Sequence, residues 1–430
     1  MKFSKIEMDD KISLHGVTFI QENEPISSLL EYDDGHIELT FIKLADSYMD
    51  LDPNIENVKF VSSYGENIFL KNGIFKNITT NSRGVRTYSI IYEYLFLLIS
   101  SRSNKEIDFK EFCTINLNYT DLNSFLNKEM ISFLQDIIID ETSSFSSNEE
   151  NLYTEFNYDN YELSVSDTYK IIKNIDKNNS TFRINFRPQL MIKTKEEIDF
   201  EDILGLIFKF RNILSFIFDK KLKTKEIFLE NRTCKLKIFW SKEFGIKETI
   251  AKRNIDYKKE FFVRNFSEII NGYFKNSDKL RDIFEIYVNN LYVVHYYADS
   301  YLLSQISIME GLHRRFISEK EKHLRKRLIE VFKFVDDDVK EKIYKANGIN
   351  LNVKVEDIAL YLKKFRNYHS HYGYNKPKKK IEIEDHDLIS FLRDFSREFI
   401  LKNIGVSESL IGCMPENYPF KQLNSNDIEL

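Results

Sequence analysis

Arg366, Asn367, His369 and His371 fall within six residues of one another in the stretch KKFRNYHSHYGYNKPKKK, Lys363 to Lys380. An imidazole takes or gives a proton near neutral pH, and a guanidinium is a permanently charged planar fork that suits phosphate oxygens. Cleavage of RNA by its own 2′-hydroxyl needs three services: removal of the hydroxyl proton, stabilisation of charge on pentacovalent phosphorus, and a proton for the leaving 5′-oxygen. In that chemistry Arg366 stabilises the phosphorane, His371 is the general acid or base, and Asn367 orients either partner or the phosphate. The stretch holds seven Lys or Arg residues and no Asp or Glu, a local anion trap in a chain of net charge −5. Lys363, Lys364, Lys376, Lys378, Lys379 and Lys380 would grip the RNA backbone, and Tyr372 and Tyr374 offer rings on which unstacked bases can rest.

The helix that carries these residues is read from its apolar stripe. Val355, Ile358, Leu362 and Phe365 recur at three- and four-residue steps, and the next position on that stripe is His369. A packed or interface-facing histidine is therefore the plain reading of His369, with a supporting part in the site as the sharper one. His371 follows Arg366 by five residues, an offset of about 140° on an ideal helix. The two can still converge on one small anion because arginine is long and the helix is set to end near Gly373 and Pro377. In that last turn the helix dipole favours a protonated His371.

Around this helix the chain reads as two halves of an α+β protein. Up to about residue 255, HGVTFI, SSLLEYDDGHIELTFIKL, VKFVSSYGENIFLKNG, TFRINFRPQLMIK and CKLKIFW alternate as strands, with Asp34-Gly35 turning a hairpin and Gly65 and Gly73 in turn-like settings. One helix interrupts from about Phe200 to Asp219. From 256 to about 405 the stripes Leu280-Ile283-Tyr287, Leu302-Ile306-Met309-His313 and Leu388-Leu392-Phe395-Phe399 predict a bundle of four to six helices, followed by a tail over 406–430. The stretch Ile317 to Ala346, with EKEKHLRKR and FVDDDVKEK, reads as an exposed or mobile insertion, its LRKR as a plain basic helix face, with an extension of the RNA footprint as the sharper reading, and its VDDDV as a solvated acidic turn. At 430 residues the chain has room for two or three domains.

An arginine, a polar residue and a histidine separated from the arginine by four to six positions, late in a helical bundle, resemble the signature of the HEPN ribonuclease superfamily. Arg366, Asn367 and His371 match that spacing, and His369 does not. The earlier helix carries Arg211-Asn212, but Phe216 stands where the histidine would be needed. The strand-rich start, with LHGVTF and LLEYDDGHIELTFI, and the helix FEDILGLIFKFRNILSFIF are similar to the architecture of ApeA-like abortive-infection proteins of bacterial anti-phage defence. The resemblance implies a metal-independent endoribonuclease that cuts RNA at a composite site between two copies of the helical domain. It also implies an N-terminal domain (1–255) that senses a phage-derived trigger or restrains the nuclease. Glu310 is the candidate polar partner near the site, and a solvated glutamate is its plainer reading.

Other chemistry fares worse. Cys113, Cys234 and Cys413 are scattered without a CxxC pair, and the side chains of His369 and His371 diverge on a helix, so neither metal nor cofactor is expected. The longest apolar run, YSIIYEYLFLLIS, is short and broken by Glu93, and the N-terminus lacks an apolar leader core, so no membrane partner is expected and the location reads as cytoplasmic. Two rivals stay open: a non-catalytic module whose basic helix end holds RNA or a partner protein, and a sensor whose bundle serves only to dimerise.

Overall fold

A computed structural model describes residues 10–19, 25–33, 35–44, 55–81, 87–100, 112–119, 153–176, 181–231, 235–241, 256–292, 298–370, 381 and 383–415. The chain divides into two units. The first comprises Met1–Asn151, Asp159–Arg211 and Leu222–Ile250, and the second Leu152–Tyr158, Asn212–Lys221 and Ala251–Leu430.

The first unit begins with strands β1 (Ile12–Phe19), β2 (Ile26–Asp33), β3 (His36–Leu44), β4 (Asn57–Ser62), β5 (Asn67–Asn81) and β6 (Thr87–Ser100). Asp33 pairs with His36 and Gly35 has a φ of 79°, as a tight hairpin there requires; Asp34, the other residue of the expected turn, lies outside the described residues. On β3, Ile37, Leu39 and Phe41 are fully buried while Glu38, Thr40 and Ile42 face the other way, the period of a half-buried strand. The order β3-β2-β1-β4-β5-β6, with β3 pairing back onto β6, closes these antiparallel strands into a barrel. The apolar run YSIIYEYLFLLIS is β6. Its Thr87–Tyr94 half pairs with β3 to close the barrel, and its Phe96–Ser100 half pairs with β12 (Lys235–Trp240). From β12 the sheet continues through β11 (Thr224–Glu230), β7 (Phe112–Tyr119), β10 (Thr181–Ile198) and β9 (Tyr161–Asp176). Phe96, Leu97, Leu98 and Ile99 are buried in succession, which is why this strand lacks alternation in the sequence.

Gly73 corrects one expectation. It lies within β5, beside Asn72 at φ 58°, and a Cβ there would strike the Ile55 carbonyl oxygen and the Tyr94 ring. The glycine admits a close backbone approach instead of making a turn. Helix α1 (Phe200–Phe218) appears where its stripe predicts, with Ile203, Ile207 and Phe210 buried and the Tyr119 hydroxyl donating to the Ile207 carbonyl at 3.1 Å. Its residues from Asn212 onward belong to the second unit.

The second unit contains α2 (Asp256–Arg264), α3 (Phe266–Lys275), α4 (Ser277–Tyr292), α5 (Ala298–Leu312) with a π-helical turn at His313–Ile317, α6 (Leu324–Phe334), α7 (Asp337–Ala346), α8 (Val355–Ser370) and α9 (Asp385–Asn403). Strand β8 (Tyr153–Tyr158) packs on α3, where the Phe156 and Phe274 rings lie 4.4 Å apart. Helix α9 is the hub, buried from Phe395 to Leu401 without a break and packed against α5, α6 and α7. The Ile317–Ala346 stretch is not an exposed insertion. Leu328, Val331, Phe332, Val339 and Ile343 line the core, and Phe332 packs edge-on to Phe395 at 5.0 Å. Its charges fill the outer faces of α6 and α7, and their density in the sequence hides the apolar stripe. VDDDV, expected as a solvated acidic turn, instead opens α7: Asp336 precedes the helix and pairs with Lys402, Asp337 pairs with Lys340, and Val335 and Val339 are buried. In the segment read as a tail, Val406, Leu410 and Ile411 are buried.

Candidate functional site

Helix α8 begins with Glu356 and Asp357 in its first turn, where the helix dipole favours acids, and extends to Ser370. Ile358, Leu362 and Phe365 bury one face. Lys363, Arg366, Asn367 and Ser370 follow the 0, 3, 4, 7 pattern of a second face, on which Arg366, Asn367 and Ser370 are exposed and Lys363 is half-buried. The site helix therefore holds itself by one stripe and presents its guanidinium and amide on another. Lys364 is exposed as well. His371, Tyr372, Tyr374, Lys376, Lys378, Lys379 and Lys380 lie outside the described residues.

His369 occupies the position the stripe gives it and does more than pack. Its ring stands 4.6 Å from the Phe365 ring and meets the Tyr368 ring edge-on at 4.9 Å, which fixes its plane. Its Nε2 lies 3.5 Å from the Asp299 carboxylate, in the first turn of α5, the helix packed beside α8. The His369 and Asp299 side chains are 26% and 33% exposed, so the pair borders solvent. Burial pushes the nearby Tyr361 phenol up to about 12, and the Asp385 and Asp299 carboxylates add to the shift. On α8, Arg366 and His369 are neighbours on adjacent turns, with Cβ atoms about 5–6 Å apart. His369 thus ends the stripe that packs, and Arg366 stands on the exposed face beside it.

Glu310 is placed elsewhere. It pairs with Arg314 at 2.8 Å and stands 3.8 Å from Arg327, at the junction of α5, the π-helical turn and α6. Arg327, in the LRKR stretch, is 2% exposed and donates its Nε to the Lys322 carbonyl, so it is a core group and not part of a basic face. Beside it the buried His313 bonds Glu330 at 2.7 Å, and Lys322 and His313 together hold the Glu330 carboxyl below its ordinary range. Trp240 is a buried strand residue, as its context predicts. Among the described residues no group of three His, Cys, Asp or Glu is placed to hold a metal ion, and no helix is long and apolar enough to cross a membrane.

Sequence reasoning missed the charged cluster at the C-terminal end of α1. Asp219, at φ 53°, accepts from Tyr287 at 3.3 Å and pairs with Arg393 at 3.2 Å. Arg397 donates to the Ile217 carbonyl at 2.6 Å, and Lys258 to the Phe218 carbonyl at 3.3 Å. Cations thus meet the carbonyl end of the helix, where its dipole is negative. The cluster draws on α1, α2, α4 and α9, a grouping with no short-range spacing to reveal it.

A family model described as ApeA N-terminal domain 1 matches residues 13–290, more than half of the chain. The match takes in the barrel, α1 and the first helices of the second unit, and it ends before α5 and α8. No curated protein and no solved structure matches the chain.

Proposed function

We propose that this chain, which belongs to the ApeA family of anti-phage defence proteins, acts in that defence as a metal-independent endoribonuclease of the HEPN type. The observation that carries the reading is the end of α8. There Arg366 and Asn367 stand exposed on a helix anchored by another face, five and four residues before His371 and ahead of an acid-free run of lysines.

In this reading the ribose 2′-oxygen attacks the adjacent phosphorus while one imidazole removes its proton. Arg366 pairs with the non-bridging oxygens as their charge grows, a bidentate contact that strengthens in the transition state. Asn367 orients the phosphate, and His371 exchanges a proton with the reacting oxygens. The products are a 2′,3′-cyclic phosphate and a 5′-hydroxyl. Lys363, Lys364, Lys376, Lys378, Lys379 and Lys380 hold the backbone, with Tyr372 and Tyr374 stacking bases. A cytoplasmic homodimer that apposes two copies of α8 would complete the composite site, and the barrel unit would receive the phage-derived trigger.

The test is purified protein incubated with cellular RNA in EDTA. The reading predicts cleavage that Arg366→Ala and His371→Ala each abolish. Cleavage untouched by either substitution would remove the site. Tight RNA binding without any cut ends would assign the basic segment to the non-catalytic rival.

A further inference from the structure

We infer that the junction of α5, the π-helical turn and α6 is a binding site for a phosphate monoester, in which the ligand takes the place of the Glu310 carboxylate between Arg314 and Arg327. The inference stands apart from the ribonuclease reading above.

Oε1 of Glu310 accepts from Arg314 at 2.8 Å and stands 3.8 Å from Nη1 of Arg327, too far for a hydrogen bond. Arg327 is 2% exposed, and its Nη1 is buried with no hydrogen-bond partner. Glu330, one turn further along α6, is already engaged, because His313 and Lys322 both bond its Oε2 at 2.7 Å. Three cations, Arg314, Lys322 and Arg327, thus share two carboxylates, and the deficit falls on the most buried of them. A buried charge left short of a partner is costly, so an anion that completes its hydrogen bonds is favoured there.

The chemistry of the two guanidiniums selects the anion. Glu310 turns one and the same oxygen to both, whereas a tetrahedral phosphate can give one oxygen to Arg314 and another to Arg327. A monoester carries about −1.5 to −2 charges at pH 7, against one on a carboxylate or a phosphodiester, so the monoester is the form that displaces Glu310. Entry is from the side of Arg314, whose side chain is 58% exposed, and Glu310 is half-buried behind it. From Arg314 to Arg327 the sequence holds seven Lys or Arg residues and two acids, a local positive field in a chain of net charge −5. The π-helical turn is closed by the Ser318 amide, which donates to the His313 carbonyl at 3.0 Å. Such turns are rare and frequently stand at functional sites.

The experiment titrates the full-length protein with inorganic phosphate, 5′-AMP and 3′,5′-cyclic AMP in a calorimeter at fixed ionic strength. The two monoanion-to-dianion probes should bind, and cyclic AMP, the same nucleotide as a diester, should bind about 10-fold or more weakly. A tighter 5′-AMP assigns the site to a nucleotide, and parity with inorganic phosphate assigns it to the free ion. Arg314→Ala, at an exposed position, should weaken both about 10-fold or more. Glu310→Gln removes the resident competitor and should tighten both by about as much, a gain that a purely structural ion pair does not give. Its thermal midpoint should also rise more steeply with added phosphate than that of wild type. Cyclic AMP binding as tightly as 5′-AMP, or Arg314→Ala binding as tightly as wild type, overturns the site, and these two arms decide the case even where Glu310→Gln does not fold. A folded Glu310→Gln that binds neither monoester overturns it as well. Binding lost in Arg366→Ala and kept in Arg314→Ala would place the phosphate on α8 instead.

Discussion

At the scale of single residues, groups that would act on a substrate differ from groups that hold the fold. Arg366 is exposed at the end of α8, so its replacement should leave the fold intact. Arg366→Lys keeps the charge and removes the planar fork, and cleavage should fall on the order of 100-fold while stability changes by less than about 0.5 kcal/mol. Parallel activity and urea-unfolding measurements check this, and a lysine variant with full activity would show that charge alone suffices. Glu398 belongs to the other class. Its Oε1 accepts from the Ile411 amide at 2.6 Å, and burial pushes its carboxyl up to about 7. A carboxyl raised above its unfolded value of about 4.5 favours the folded state while protonated, so its contribution is whole below that value and is lost as pH rises through about 7. Glu398→Gln removes the titration. Wild type should lose about 3 kcal/mol against this variant between pH 4.5 and pH 8, read by denaturant unfolding at both ends. An unchanged difference would contradict the buried, proton-bearing carboxyl.

At the scale of elements, close packing decides what can change. Gly272 on α3 faces the Ile404 carbonyl so closely that an added Cβ would lie well inside van der Waals contact with backbone. Gly272→Ala, which would favour an isolated helix, should instead destabilise the protein by about 1–3 kcal/mol. A variant at least as stable as wild type in denaturant would show that the contact yields. The elements also show what could be read in the sequence and what could not. The β2–β3 hairpin and helices α1, α8 and α9 announced themselves because one buried face leaves a period of two or 3.6. Strand β6 is buried on both faces through Phe96–Ile99 and leaves no period. Helices α6 and α7 have a period, but LRKR and DDDVKEK overlay it with charge. Arg327 shows the cost of judging a residue by its type: its aliphatic stem and satisfied Nε let it serve as core. The candidate site was legible to the same degree. Arg366, Asn367 and the two histidines share one helix end, whereas Asp299 lies 70 positions from His369 and only the packing of α5 beside α8 unites them.

At the scale of the whole molecule, the second unit reaches back into the N-terminal half for Leu152–Tyr158 and Asn212–Lys221. A fragment beginning at residue 256 therefore lacks Asp219 and the Ile217 and Phe218 carbonyls. Arg393, Arg397 and Lys258 would remain in a buried setting without those partners. Removing one side of such a cluster costs about 3–5 kcal/mol. The fragment 256–430 should accordingly unfold at lower urea than 212–430, and equal midpoints would show that the cluster contributes nothing. The two units are thus interleaved in sequence, and the chain crosses from one to the other within α1.

The most direct test of the central claim is the chemistry of the ends left on RNA by the wild-type protein. Attack by the ribose 2′-hydroxyl, assisted by Arg366 and the histidines of α8 and its end, predicts 2′,3′-cyclic phosphate and 5′-hydroxyl termini that persist in EDTA and disappear in His371→Ala. Ends bearing a 3′-hydroxyl and a 5′-phosphate, or cyclic phosphates still formed by that variant, would contradict it.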